Sequence, residues 1–444
     1  MTQASPPPGA VSTAPPPVPA TPGTASGPGA SAPAPAPTVA VAPVKARRST
    51  PQRLRLLSTG VILISLIFGV VGAVIFSYLA YSLDRANADA TQLIRVQTIQ
   101  TNLLAADATA TNGFLVGGLA PAAQRESYQR AIDEASVLIT EAARAQPADG
   151  AALSALNDEV VSYASTVEQA RANNRQGLPV GAQYLRIASA ELRTVALPIL
   201  DNLVEANTTR ASDAMRVGVP AIVFGILGLV ALAGLVLALM WLARTFRRWL
   251  NPGLTAAAVV VLLAWVAGVI ALSTINGGVS ELQNGSFTRL TLVSQARIEA
   301  NNAKSNESLT LIARGSKTSF EQAWQNSAQQ VQANLDQSGN DQLGELWQDY
   351  AQVHTAIRKL DDGGKWDQAV SRATGSADNS ANTTFSSFDR AATEFVDEMA
   401  GLTKDGLTGP RTGLVIGAVL ILLVGIAAAL LGRRGVTERL REYR

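Results

Sequence analysis

Nucleophilic, metal and redox chemistry each need a few residue types brought together, and this chain supplies few of them. Its 444 residues include no cysteine and one histidine, His354. Without cysteine there are no thiolate nucleophiles, disulfides or thiolate metal sites, and redox chemistry says nothing about compartment. His354 lies in the helix-like run DYAQVHTAIRKL, with no second histidine to complete a metal site or a triad, so it reads as a core or surface histidine. The acidic pairs Asp361 and Asp362, Asp133 and Glu134, and Asp158 and Glu159 are sequence neighbours. On a helix such neighbours diverge, and solvated faces account for them. No Gly-rich phosphate loop follows a strand-like run. The expectation is a non-enzyme with no cofactor, no metal and no nucleic-acid partner.

Surface recognition is what remains. Two groups of residues are candidates for it. Arg314, Lys317, Asp361, Asp362, Lys365 and Trp366 fall at two breaks in helical pattern, and a tryptophan among charges has the makings of an interface anchor. The competing reading is that Trp366 packs into its own fold, as tryptophan usually does. Arg244, Arg247, Arg248 and Trp249 form a short cationic loop that could hold a cytosolic protein; its default role is to orient the chain against anionic membrane lipid.

The elements that position these residues are membrane helices. The chain is 47% hydrophobic and only 16% charged. Four uncharged apolar stretches are each long enough to cross a bilayer core of about 30 Å: residues 56–83, 217–243, 254–275 and 413–431. The first is preceded by a long segment and lacks a clean cleavage pattern, so it is expected to stay as a signal anchor. Lysine and arginine crowd three short segments: 45–55, the loop 244–253 and the tail 432–444. The positive-inside rule places these, and both termini, in the cytoplasm of a multi-pass plasma-membrane protein. The outer blocks are then net acidic. The spans hold no charged residue and only occasional Ser and Thr, and the two halves share one orientation, which argues against a pore or transporter. GLVIG, Gly413 to Gly417, has the small-residue spacing that permits close helix contact in lipid.

Residues 1–44 are dominated by Pro, Ala, Gly, Ser and Thr and cannot build a core, which predicts a disordered cytoplasmic tail. Residues 84–216 and 276–412 form two extracytoplasmic blocks of nearly equal length, suggesting duplication. FLVGG (Phe114 to Gly118) matches LIARG (Leu311 to Gly315), and YQRAIDEA (Tyr128 to Ala135) matches FEQAWQNSA (Phe320 to Ala328). Composition favours helix throughout, and Gly and Pro breaks divide each block into four antiparallel helices. These breaks are 117–121, 146–150 and 177–181, then 314–317, 337–341 and 361–365. The fold class is therefore all-α: four transmembrane helices and two duplicated four-helix bundles. Leu93, Val96, Ile99 and Leu103, then Ile132, Ala135 and Ile139, then Leu343, Leu346, Tyr350 and Val353, repeat at threes and fours as core positions. Each membrane helix is expected to run directly into a bundle helix, with Pro198, Pro220 and Pro410 as hinge candidates.

A Pro/Ala-rich tail, four spans, two similar helical blocks and short basic cytoplasmic segments together resemble the GlnX family of the actinobacterial amino-acid sensing system. The resemblance implies two partners: a glutamine-binding-type solute-binding lipoprotein outside, which takes Glu, Asp or Gln, and the soluble Ser/Thr protein kinase G inside. The protein would then be a non-enzymatic signal relay between them. The run RVQTIQTNLLAADATATNGFLVGG, Arg95 to Gly118, is also similar to the four-helix ligand-binding module of bacterial chemoreceptors, though no signalling coiled coil follows a span. That resemblance implies direct binding of a small ligand within the bundles. A structural scaffold of the cell envelope is the third possibility.

Overall fold

The computed structural model of the chain describes residues 50–116, 120–246, 251–314 and 318–441. The tail 1–44, Arg247, Arg248, Trp249 and Lys317 lie outside the described residues. All regular structure among those described is helical. The first half comprises α1 (Thr50–Leu115), α2 (Ala122–Ala145), α3 (Gly150–Arg175), α4 (Val180–Glu191), α5 (Leu197–Ala214) and α6 (Gly218–Phe246). The second comprises α7 (Pro252–Leu282), α8 (Thr288–Ala313), α9 (Thr318–Ser338), α10 (Asp341–Asp362), α11 (Trp366–Thr374), α12 (Ala381–Thr408) and α13 (Pro410–Arg441). One-turn π-helices, Leu192–Ala196 and Gln283–Phe287, join α4 to α5 and α7 to α8.

Four helical stretches, Gln52–Leu115, Val180–Thr245, Pro252–Ala313 and Ala381–Glu438, are long and apolar enough to cross a membrane, and the chain is a multi-pass membrane protein. Their apolar parts, in α1, α6, α7 and α13, pack as one four-helix core. The centre of that core is Phe224 of α6. It lies against the rings of Phe68 (5.9 Å) and Phe76 (5.5 Å) and fills space left by Gly72 and Gly268. The helices α1 and α13 meet backbone to backbone: a Cβ on Gly69 would stand 2.8 Å from the Gly425 Cα. Of the GLVIG glycines, Gly417 presses on Phe76 while Gly413 touches nothing, so the close contact continues through Gly425 and Gly432 instead. Where α7 starts, Asn251 caps Leu254 N–H and its amide donates to the Gly435 carbonyl at 2.8 Å, tying α7 to α13.

Beyond the spans, α1 continues without a break. A buried stripe runs along it through Phe68, Ile75, Leu79, Leu83, Ala86, Ala90, Leu93, Val96, Ile99 and Leu103, so one helix of about 100 Å serves the membrane core and a bundle core alike. The first bundle is formed by α1, α2, α3 and α4–α5, the second by α8, α9, α10 and α12 with α11 added. The expected core positions are buried, Leu346 only partly.

Three expectations need correction. The last helix of the second block is not continuous. Gly375 ends α11, and Ser380, whose hydroxyl accepts from Thr383 N–H, starts α12, an ordinary stop and start within a stretch read as one helix. One of the two returning helices does not run straight into its span: the chain leaves helix at 215–217, whereas at Gly409 the backbone keeps helical angles (φ −54°, ψ −45°) and its N–H still bonds the Asp405 carbonyl. Pro220 lies just after this break, in the first turn of α6, where a missing N–H is harmless, while Pro410 interrupts the hydrogen-bond ladder between α12 and α13 without turning the chain out of helix. Pro198 follows the π-turn, and its absent N–H leaves the carbonyl of Thr194 without the usual helical partner.

Candidate functional site: the seam between the bundles

The two bundles meet along α1 and α8, the first helix of each bundle. From Asn301 to Leu311, α8 is buried on nearly every side, and its buried residues include Lys304, Ser305, Asn306, Glu307, Ser308 and Thr310. So many enclosed polar groups require partners. Asn306, Ser308 and Thr310 donate to carbonyls one turn back on α8 itself, and Lys304, Ser305 and Glu307 enter two ionic centres.

The first is Asp107 of α1, which is fully buried. Its Oδ1 accepts from Ser189 Oγ (2.5 Å) and Tyr163 OH (3.3 Å), and its Oδ2 from Arg193 Nη2 (2.9 Å) and Ser305 Oγ (2.5 Å). Ser305 belongs to α8, so this carboxylate joins three helical segments of the first bundle to the second. Arg193 lies in the π-turn and reaches across as well, to Ser305 Oγ (2.9 Å) and Asn302 Oδ1 (3.1 Å). Burial, and then the Asp107 charge, hold the Tyr163 hydroxyl well above its ordinary pKa, so it stays a donor.

The second centre lies within the second bundle. Lys304 Nζ meets Glu307 Oε1 at 2.7 Å, Glu307 Oε2 meets His354 Nδ1 at 2.9 Å, and His354 Nε2 lies 3.4 Å from Glu321 Oε2. Arg358 extends the chain to Glu321 (3.3 Å), Asp361 (2.6 Å) and Asp362 (2.8 Å). The His354 ring stacks on Trp324 at 3.6 Å. Burial raises the Glu307 pKa, but Lys304 and His354 overcome it and bring the group down to about 2. Burial likewise lowers the pKa of His354, and the hydrogen bond to Glu307, together with the Glu321 carboxylate near the other ring nitrogen, reverses this to a net rise. Among the described residues, no cluster of His, Asp and Glu is arranged to hold a metal ion.

A third contact across the seam is an amide relay. Asn112 of α1 accepts from Gln124 Nε2 (3.0 Å) and from Asn382 Nδ2 of α12 (3.1 Å), and donates to the Ala373 carbonyl (3.3 Å).

The surface residues singled out from sequence fall elsewhere. Trp366 is half-buried on its own bundle: its indole N–H donates to the Leu311 carbonyl at 2.9 Å, and Arg314 stacks on its ring at 3.7 Å. Arg314 itself ends α8 in the left-handed region, φ 37°. Asp361 is drawn inward onto Arg358 with 8% of its side chain exposed, while Asp362, on the same arginine, is 58% exposed. Lys365 and Arg244 are exposed. The seam escaped the sequence reading because Asp107 and Lys304 have the surroundings of solvated helix faces until a second bundle covers them. One cue existed: the register that matches Phe114 with Leu311 also matches Asp107 with Lys304, opposite charges at one repeated position.

Residues 82–216, which are the first bundle, match the family described as the Actinobacterial sensor domain. No curated protein and no solved structure matches the chain. The family match supports a sensing or signalling role.

Proposed function

We propose that this protein is a non-enzymatic transmembrane relay whose bundles face outward and whose basic segments face the cytoplasm. The observation that carries this reading is the continuity of α1: a single helix holds Asp107 at the seam and Gly69 against α13 in the membrane core. A shift of the first bundle against the second therefore has to be accommodated by a rigid element that enters the bilayer. In the finer reading, the input is an acidic amino acid or its amide, presented by a solute-binding lipoprotein, and the output is received by a Ser/Thr protein kinase at the basic segments. The resemblance of the architecture to the GlnX family and the sensor-domain match support it.

The test is crosslinking of the tagged full-length protein in its native membrane, with and without external glutamate, aspartate and glutamine, followed by identification of its neighbours. Recovery of a solute-binding lipoprotein and a kinase, in yields that respond to amino acid, is the expected result. Recovery only of envelope-building proteins, unchanged by amino acid, would establish a scaffold instead.

A further inference from the structure

The first bundle contains a cavity that none of the ion pairs above uses. It lies at the end far from the spans, among α1, α2, α3 and α4, with a volume of about 450 Å³. That is within the roughly 300–1,000 Å³ of small-molecule sites. Its wall is two-sided in chemistry. Val167 and Leu185 provide apolar surface, and the small residues Ala110, Gly113 and Ala170 leave the space open. Three guanidinium groups, from Arg125, Arg171 and Arg175, lie along the same wall against two carboxylates, Glu126 and Glu168, leaving an excess of positive charge. Arg171 is held in place by Glu168 and by the Tyr128 ring, 3.9 Å away.

The informative residue is Gln124, which also lines the cavity. Its Oε1 is buried without a hydrogen-bond partner. Its Nε2 holds Asn112, the residue that binds Ala373 and Asn382 of the second bundle. An orphaned buried acceptor carries a cost that a ligand donor would remove. One end of this amide therefore waits for a donor while the other holds the seam.

We infer that the cavity binds a small carboxylate carrying a hydrogen-bond donor next to its acid group, the class of α-amino and α-hydroxy acids. The guanidinium groups take the carboxylate in charge-assisted bonds, and Gln124 Oε1 accepts from the ammonium or hydroxyl. Occupancy then bears on Asn112 through the same side chain, which makes the cavity an input to the seam. This goes beyond the relay by naming a ligand that the bundle takes directly, with no lipoprotein.

The experiment is calorimetric titration of the purified full-length chain in nanodiscs with L-glutamate, L-malate, succinate and putrescine. L-glutamate and L-malate should bind, succinate should bind at least about fivefold more weakly for want of the donor, and putrescine should not bind. Arg171→Gln should weaken L-glutamate about tenfold, the loss of one charge-assisted bond. Arg125→Gln, at an exposed position, should also weaken it and gives a variant whose folding is not in question. Absence of L-glutamate and L-malate binding, equal binding of succinate, or unchanged affinity in both arginine variants would overturn the site. None of these outcomes touches the crosslinking result, so the site and the relay fail separately.

Discussion

Ser305 Oγ of the second bundle donates a 2.5 Å hydrogen bond to Asp107 of the first, and that carboxylate also receives Arg193, Ser189 and Tyr163. Removing one member of a buried ion pair leaves the other uncompensated, which typically costs about 3–5 kcal/mol. Asp107→Ala should therefore unfold the protein at markedly lower denaturant. Ser305→Ala, which removes one bond and leaves the charges paired, should cost about 1 kcal/mol. Equal stability of Asp107→Ala and the wild type in denaturant titration would show that the seam is not held this way.

Acid and alkali should destabilise the second bundle by different routes. The folded pKa of His354 lies above its ordinary 6.5, so its stabilising contribution is complete below that value and is lost as pH rises through the folded pKa. The folded pKa of Glu307, about 2, lies below its ordinary 4.5, so its contribution is present above 4.5 and is lost as pH falls toward 2. The melting temperature of the full-length protein should peak between these two ordinary values. His354→Gln should flatten the alkaline side and, because His354 also helps to hold the Glu307 pKa down, weaken the acid side in part. A wild-type profile that does not fall above neutrality would contradict the assignment.

In the membrane core, Gly425→Leu should separate α1 from α13, because a Cβ there would meet the Gly69 Cα at 2.5 Å. Backbone cannot yield as a side chain can, and overpacking of this kind costs about 1–3 kcal/mol. Gly413→Leu is the matched control, since nothing lies within 4 Å of its Cβ position. Thermal inactivation in mild detergent should distinguish the two; equal stability would place the contact elsewhere.

Trp366→Ala should destabilise the second bundle by about 1–3 kcal/mol, in line with the loss of a half-buried ring and its hydrogen bond to the Leu311 carbonyl. Partner crosslinking that is lost while the melting temperature stays unchanged would instead return this residue to the role of an exposed anchor.

The amino-acid sequence by itself determined the class of this protein. Four uncharged apolar runs can satisfy their backbone in lipid only as helices, and the three- and four-residue spacing of Leu93, Val96, Ile99 and Leu103 can bury one face only in a bundle. Those are local properties, readable one helix at a time. What surrounds Asp107, Lys304, Glu307 and His354 is not local. Ser305 lies 198 residues from Asp107 and His354 lies 47 from Glu307, and the polar side chains from Lys304 to Thr310 match those of a solvated helix. Packing inside the second bundle takes water from Glu307 and His354, and the packing of one repeat against the other closes over Asp107 and Ser305. Desolvation then makes each unpaired charge so costly that the groups must collect into the two ionic centres, and tertiary structure alone decides where those lie.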